Sequence, residues 1–197
     1  MHPLHELPHD SLKYEVRRLF DNAIEKRVQT DLPIGVFLSG GVDSSITILR
    51  ALQFNKNIIA FIIGAKESED VKCGIQLCEE TGIDFVHINI PHQTLVNKTE
   101  EVIRIVESFE TVVVRGSCYS YFLSKAAHEA GVKVVLCGEG SDEIFGGYGD
   151  FLEAENDEEF QELTLKFVRG LAPVSYTHLR AHETSLHLVC RLLLEKN

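Results

Sequence analysis

The stretch from Ile34 to Ser45, IGVFLSGGVDSS, constrains this chain more than any other: an apolar run, then Ser39-Gly40-Gly41, then Val42, Asp43 and two further hydroxyls. Ile34, Val36, Phe37 and Leu38 have the length and β-rich composition of a strand buried on both faces, as in a parallel sheet. Gly40 and Gly41 lack a Cβ, so the backbone there can turn sharply and approach a ligand, while Asp43 or Ser44 can open the helix that follows. Successive N–H groups at such a helix start point at one spot and favour an anion, and Ser39, Ser44 and Ser45 add hydroxyl donors. The stretch reads as a phosphate cradle.

A Walker A loop is excluded, because no Gly-Lys-Ser/Thr follows the glycines and no Lys lies between Leu38 and Arg50. Backbone and hydroxyl donors beside an Asp suit a pyrophosphate that departs with a bound metal. The run Ser-Gly-Gly-Val-Asp-Ser at 39–44 resembles the signature of the ATP pyrophosphatases. That resemblance implies cleavage of ATP between its α- and β-phosphates, giving AMP and pyrophosphate.

Around this stretch, strands and helices alternate. Asp10-Ser11 cap a helix whose Leu12, Val16, Leu19, Phe20, Ala23, Ile24 and Val28 share one face, expected to pack on the sheet. A helix from about Asp43 to Gln53 follows the cradle, and Ile58 to Ile63 is a second continuous apolar strand. Ser68-Glu69-Asp70 cap a helix that stops at Gly82, and Asp84 to Ile90 forms a third strand closed by Pro91. Thr94 to Ser108 is a long amphipathic helix with Leu95, Val102, Ile103 and Val106 inward. Val112 to Val114 lead to Arg115-Gly116-Ser117, and a helix then runs to Gly131 before a fourth strand, Lys133 to Cys137. The pattern predicts an α/β fold, a parallel sheet with helices on both faces, with ligands at the carboxyl ends of its strands. His87 and His92, single histidines near a strand end, read as packing residues rather than ligands.

A chain of 197 residues that is 44% hydrophobic suits one globular domain, and a net charge of −11 argues against nucleic acid as a partner. No apolar run is long enough to span a bilayer, and MHPLHELPHD has no signal-peptide pattern, so no membrane partner and a cytoplasmic location are expected. Cys73, Cys78, Cys118, Cys137 and Cys190 show no C-x-x-C spacing, which points to reduced thiols rather than disulfides or zinc. The segment Val174 to Asn197 can be coded by nucleotides resembling a transposase-end adapter and flow-cell primer used in sequencing libraries. It reads as a translated artefact, so His178, His182 and His187 are not read as a metal site. The expected organisation is an extension at 1–10, a partial ATP-pyrophosphatase domain at 11–173, and this tail at 174–197.

A second constellation lies after the fourth strand, where GEGSDEIFGGYG at 138–149 sets Glu139, Asp142 and Glu143 among five glycines. Carboxylates beside a pyrophosphate cradle require an intervening cation, since bare negative charge would repel ATP by several kcal/mol in a partly dry site. Mg²⁺ meets that need with one or two carboxylates plus phosphate oxygens, and Asp43 and Asp142 are the candidate pair.

Taken in order, LSGGVDSS at 38–45, Phe-Ile-Ile-Gly at 61–64, Ser-x-Asp at 68–70, Arg115 before a helix and GEGSDEIFGGY at 138–148 resemble the synthetase domain of glutamine-dependent asparagine synthetase, over residues 11 to 170. The resemblance implies adenylation of the aspartate β-carboxylate by Mg·ATP, then attack by ammonia drawn from glutamine. It assigns Leu38, Ile63 and Gly138 to the adenosine moiety, with the Cys137 backbone at the adenine, and Ser39, Gly41, Asp43 and Ser44 to the pyrophosphate; Gly40 and Ser45 join the nucleotide site from the reading of the cradle itself. Asp43 and Asp142 would hold the metal, Glu139 would act in forming β-aspartyl-AMP, and Arg115 would hold the activated substrate or its phosphate. Cys137 stands where the family usually has Ser, and Val112 to Val114 stand where it carries threonines. The glutaminase domain of such enzymes and their later segments lie outside this sequence, so the piece alone is expected to be inactive; a homodimer is left open. Two other readings share the cradle: a related amidotransferase or β-lactam-type synthetase acting on another carboxylate, and a non-catalytic nucleotide-binding module.

Overall fold

In the computed structural model, which describes residues 8–177 and side chains as far as residue 169, the cradle strand is β1 (Ile34–Phe37). It pairs in parallel with β2 (Ile58–Ile63) on one side and β4 (Val134–Leu136) on the other, and β3 (Asp84–Ile88) adds to β2. The order is therefore β3-β2-β1-β4. Because successive residues of a strand face opposite sides, the continuous apolar runs of β1 and β2 feed two cores at once. Ile34, Val36, Ile58, Ala60 and Ile62 join Ile48, Val71 and Cys78 on one face. Phe61, with Phe37, Ile59 and Ile63 beside it, meets Leu123, Ala127 and Val132 on the other. The expected α/β sheet covered on both sides is the fold observed.

Three helices cover the first face: α1 (His9–Val28), α2 (Val42–Phe54) and α3 (Glu69–Thr81). The signals read for α3 are the ones used: the Ser68 hydroxyl accepts from the Val71 N–H at 3.4 Å, and Gly82 ends the helix in the left-handed region at φ 72°. The expected packing of α1 holds only for its second half. Ile24 and Val28 are buried, whereas Val16 and Leu19 are 46% and 54% exposed, because α1 overhangs the sheet and rests on α2 through a bidentate Arg50–Asp21 ion pair.

The second face carries α4 (His92–Val106) and α5 (Thr111–Glu129) as an antiparallel pair. Val102 and Val106 pack with Val114, Cys118 and Tyr121, and the Tyr121 hydroxyl donates to Glu101 at 3.1 Å. Here the structure differs from the sequence pattern, because Val112 to Arg115 are the first turns of α5 and not a lead-in to it. Burial of Val114 against α4 outweighs the modest helix penalty of three β-branched residues. Beyond β4 come α6 (Ser141–Phe145), a short 3-10 turn at Gly149–Glu153, and α7 (Asp157–Thr177). The histidines at 178, 182 and 187 lie outside the described residues. Among the described residues no helix is long and apolar enough to cross a membrane. Among the described residues Cys73, Cys78, Cys118 and Cys137 form no disulfide, and Cys190 lies outside those residues.

Cys78 gives the first face a measurable signature. Burial, with a smaller contribution from Glu79, raises its thiol from 9.0 to about 11. The unfolded chain releases this proton first, so the stability from the neutral thiol is intact below pH 9 and is lost as the pH rises through about 11. Cys78→Ala should therefore flatten the decline of the urea midpoint between pH 9 and 11 relative to the parent. An equal decline in both proteins would show that another group is responsible.

Candidate functional site at the sheet switch point

β1 is followed by a strand on one side and flanked by β4 on the other, so the strand order reverses between them. The crevice at the carboxyl ends of such a pair is where open α/β sheets bind ligands. Both glycine-rich loops lead from these two strand ends.

The first loop is braced by its own hydroxyls. Ser44 is buried, and its Oγ accepts from the Ser39 N–H at 3.1 Å and donates to the Gly41 carbonyl at 3.2 Å. Ser39 Oγ lies 2.9 Å from Ser44 Oγ and accepts from the Gly41 N–H at 3.3 Å. These two hydroxyls, expected as ligand donors, are occupied in shaping the turn. Gly41 takes the cap position expected of Asp43 or Ser44, and the first helical bond runs from Ser45 N–H to the Gly41 carbonyl. The amides of Val42, Asp43 and Ser44 are left without a helical acceptor, which is the anion-attracting arrangement. Leu38 is 2% exposed and its side chain is core, so only its backbone faces the crevice.

Two close approaches hold the loops together, and both fall at glycines of the two glycine-rich stretches. Gly40 sits at φ 86°, and a Cβ there would meet the Asp70 carbonyl oxygen at 2.0 Å, so the start of α3 roofs the cradle. A Cβ on Gly138 would lie 3.1 Å from the Asp43 Cβ and 3.2 Å from the Ser44 amide nitrogen. The loop after β4 thus rests directly on the first turn of α2, side by side with the cradle. In the same loop the Asp142 carboxylate lies over Gly147, where a Cβ would collide with it.

The acidic loop has its own clamp, which the sequence pattern did not reveal. The Tyr148 hydroxyl donates to Glu143 Oε1 at 2.8 Å, while Glu143 Oε2 is buried with no hydrogen-bond partner among the described residues. Burial first, then the carboxylates of Glu143, Asp142 and Glu139, raise Tyr148 well above the usual phenol range, which keeps it a proton donor. The Tyr148 ring meets Phe167 at 5.2 Å with the planes tilted by 41°, and Phe151 contacts both Phe160 and Phe167. Phe160 and Phe167 of α7 thus pack against the end of the loop and the turn after it.

Of the remaining candidates, Ile63 ends β2 packed against the second core, and Ser45 is half-buried in the first turn of α2. Cys137 is exposed just past β4, with partial desolvation raising its thiol. Glu139 is exposed on the acidic loop. Arg115 is exposed on α5, and no hydrogen bond or ion pair joins it to either loop among the described residues. No three His, Cys, Asp or Glu side chains among the described residues converge on a metal-sized point.

A family model described as asparagine synthase matches residues 15–195. The chain is 38% identical over 188 residues to glutamine-hydrolyzing asparagine synthetase 3 of Arabidopsis thaliana, covering 90% of this chain and 32% of that protein. It is 37% identical over 180 residues to glutamine-hydrolyzing asparagine synthetase 2 of Oryza sativa subsp. japonica, covering 86% and 30%. The chain thus spans about a third of the length of these relatives. Among solved structures, an NH3-dependent NAD synthetase from Campylobacter jejuni superposes at TM-score 0.47 and 15% identity over 93% of both chains. An NMN synthetase from Francisella tularensis superposes at 0.46 and 17%, over 77% of this chain and 70% of that one.

The two cradle glycines should respond differently to a methyl group. Gly40→Ala sets a side chain at positive φ against a backbone carbonyl and should cost at least about 1–3 kcal/mol in chemical denaturation. Gly41→Ala meets only Ser39 Oγ, at 3.4 Å, and should stay within about 1 kcal/mol of the parent. Equal losses at both positions would contradict the contact between Gly40 and Asp70.

Proposed function

The chain belongs to the asparagine synthase family, and from that premise we propose that it is the nucleotide-binding part of an ATP-dependent ligase that makes asparagine. The proposed reaction adenylates the β-carboxylate of aspartate, releases pyrophosphate, and lets ammonia derived from glutamine displace AMP. The observation that carries this reading is the packing of Gly138 on Asp43 and Ser44, which sets an acidic loop beside an anion cradle at the sheet switch point. Residues 11–173 are read as the partial ATP-pyrophosphatase domain.

In this reading the amides of Val42, Asp43 and Ser44, left without a helical acceptor, receive the pyrophosphate with Gly40 and Ser45 beside them, while Ser39 and Gly41 act by holding the turn in shape. The backbone of Leu38 and the Ile63, Cys137 and Gly138 positions border the adenosine. Asp43 and Asp142 form a donor set of two carboxylates, which fits Mg²⁺ when phosphate oxygens complete its shell. Bound there, Mg²⁺ would supply charge neutralisation for the departing phosphates. Glu139, unburied on the adjacent loop, is free to reach the reacting carboxylate and α-phosphate, while Arg115 offers a cation for the activated substrate. Catalysis is then chiefly positioning by pre-shaped loops.

The test is aspartate-dependent ATP–pyrophosphate exchange in the full-length parent enzyme with ammonia withheld. Glu139→Gln should lower the exchange rate by about 100-fold or more with little change in apparent ATP affinity, as for a group acting in the transition state. Asp43→Asn should weaken ATP binding and exchange together, because a metal ligand serves the bound and departing phosphates alike. Unchanged exchange in the Glu139 variant would remove it from the mechanism. Exchange driven by another carboxylate and not by aspartate would transfer the assignment to a related synthetase.

A further inference from the structure

We infer that His87 is a positioning residue for the nucleotide cradle, acting through the carbonyl of Gly64 and the β2–α3 loop. The functional consequence rests on the nucleotide reading above; the structural linkage does not. β2 ends at Ile63, level with Ile88 of β3, and the ladder provides no further strand partner for Gly64 beyond the bond from its N–H to the Ile88 carbonyl at 3.1 Å. The carbonyl of Gly64 is held instead by a side chain, His87 Nε2, at 2.9 Å. A carbonyl can only accept, so Nε2 carries the proton. Both peptide groups flanking this residue are thereby tied to β3 at the point where the chain leaves the sheet.

From Gly64 a short relay leads to the cradle. Gly64 lies at φ 142°, and a Cβ there would press on Val71 Cγ2 at 3.0 Å, so the turn is folded tightly onto α3. The Ala65 carbonyl accepts from both the N–H and the hydroxyl of Ser68, at 3.0 and 2.9 Å, and Ser68 in turn caps α3 at Val71. Two residues on, the carbonyl of Asp70 covers Gly40. The path from imidazole to cradle runs through rigid groups: one anchored carbonyl, one hydrogen-bonded turn, one helix start. Freeing the Gly64 carbonyl loosens the turn that sets the height of the roof over Gly40.

The test compares the parent 197-residue chain with His87→Phe, which keeps a flat ring but has no donor, and His87→Gln, whose amide N–H can restore the bond. Amide hydrogen exchange is read across residues 65–71 and, as an internal standard for global folding, across β1. His87→Phe should speed exchange at 65–71 by about fivefold, the effect of losing one net hydrogen bond, with β1 unchanged, and His87→Gln should return it close to the parent rate. Exchange at 65–71 unaffected by His87→Phe, or equally fast in the Gln variant, would overturn the role. A second measurement titrates each protein with Mg·ATP. If the parent binds, His87→Phe should weaken the dissociation constant several-fold and His87→Gln should restore it, and equal binding by all three would break the link to the cradle. If the parent does not bind, the nucleotide reading fails for this chain, while the exchange rates still decide whether His87 holds the loop.

Discussion

The site is built on places where side chains are missing. A carbonyl can cover the cradle only because Gly40 has no Cβ, and the β4 loop lies against the first turn of α2 at Gly138, where a Cβ would be a tight fit. Three strand ends, those of β1, β2 and β4, are thereby drawn to one point at the switch in strand order. Any other residue at Gly40 would have to adopt an unfavourable backbone angle and displace a main-chain oxygen, which cannot move without shifting α3. The two apolar faces of β1 and β2 hold the sheet rigid beneath them, so the loops converge on a fixed base.

The second constraint is electrostatic. The loop after β4 gathers Glu139, Asp142 and Glu143 in a chain whose net charge is already −11. One carboxylate, Glu143, accepts a hydrogen bond from the Tyr148 hydroxyl, and that tyrosine packs on Phe167, which is itself packed against Phe151. Asp142 and Glu139 have no such partner among the described residues, and in the proposed reading their charge is balanced by Mg²⁺ and by the substrate itself. An acidic protein binds a polyanion under these conditions only where helix-start amides and a cation act together.

Local signals made much of this legible beforehand. Continuous apolar runs marked β1 and β2 as doubly buried, Ser68 and Gly82 marked the ends of α3, and the glycine-rich loops marked the carboxyl edge. Long-range packing hid the rest. Valines at 112 to 114 read as a lead-in to the helix, but contact with α4 makes them its first turns; Val16 and Leu19 keep helical spacing, but nothing in that spacing reveals that α1 overhangs the sheet. The Glu143–Tyr148 clamp was in principle readable from two polar residues five apart in one loop, but its anchorage on α7 was not.

The same distinction separates what shapes the cradle from what is left to bind. Ser39 and Ser44 look like phosphate donors in a sequence, yet the one hydroxyl proton of Ser44 is directed at the Gly41 carbonyl and its lone pairs accept from Ser39. The donors remaining are main-chain amides, whose direction is set by the turn and needs no side-chain ordering when a ligand arrives. A site arranged this way loses little entropy on binding and reorganises little as charge shifts to a departing phosphate, which is the condition under which fixed dipoles accelerate a reaction most. Hydroxyls spent on preorganisation therefore contribute to binding indirectly, by fixing where the Val42, Asp43 and Ser44 amides point.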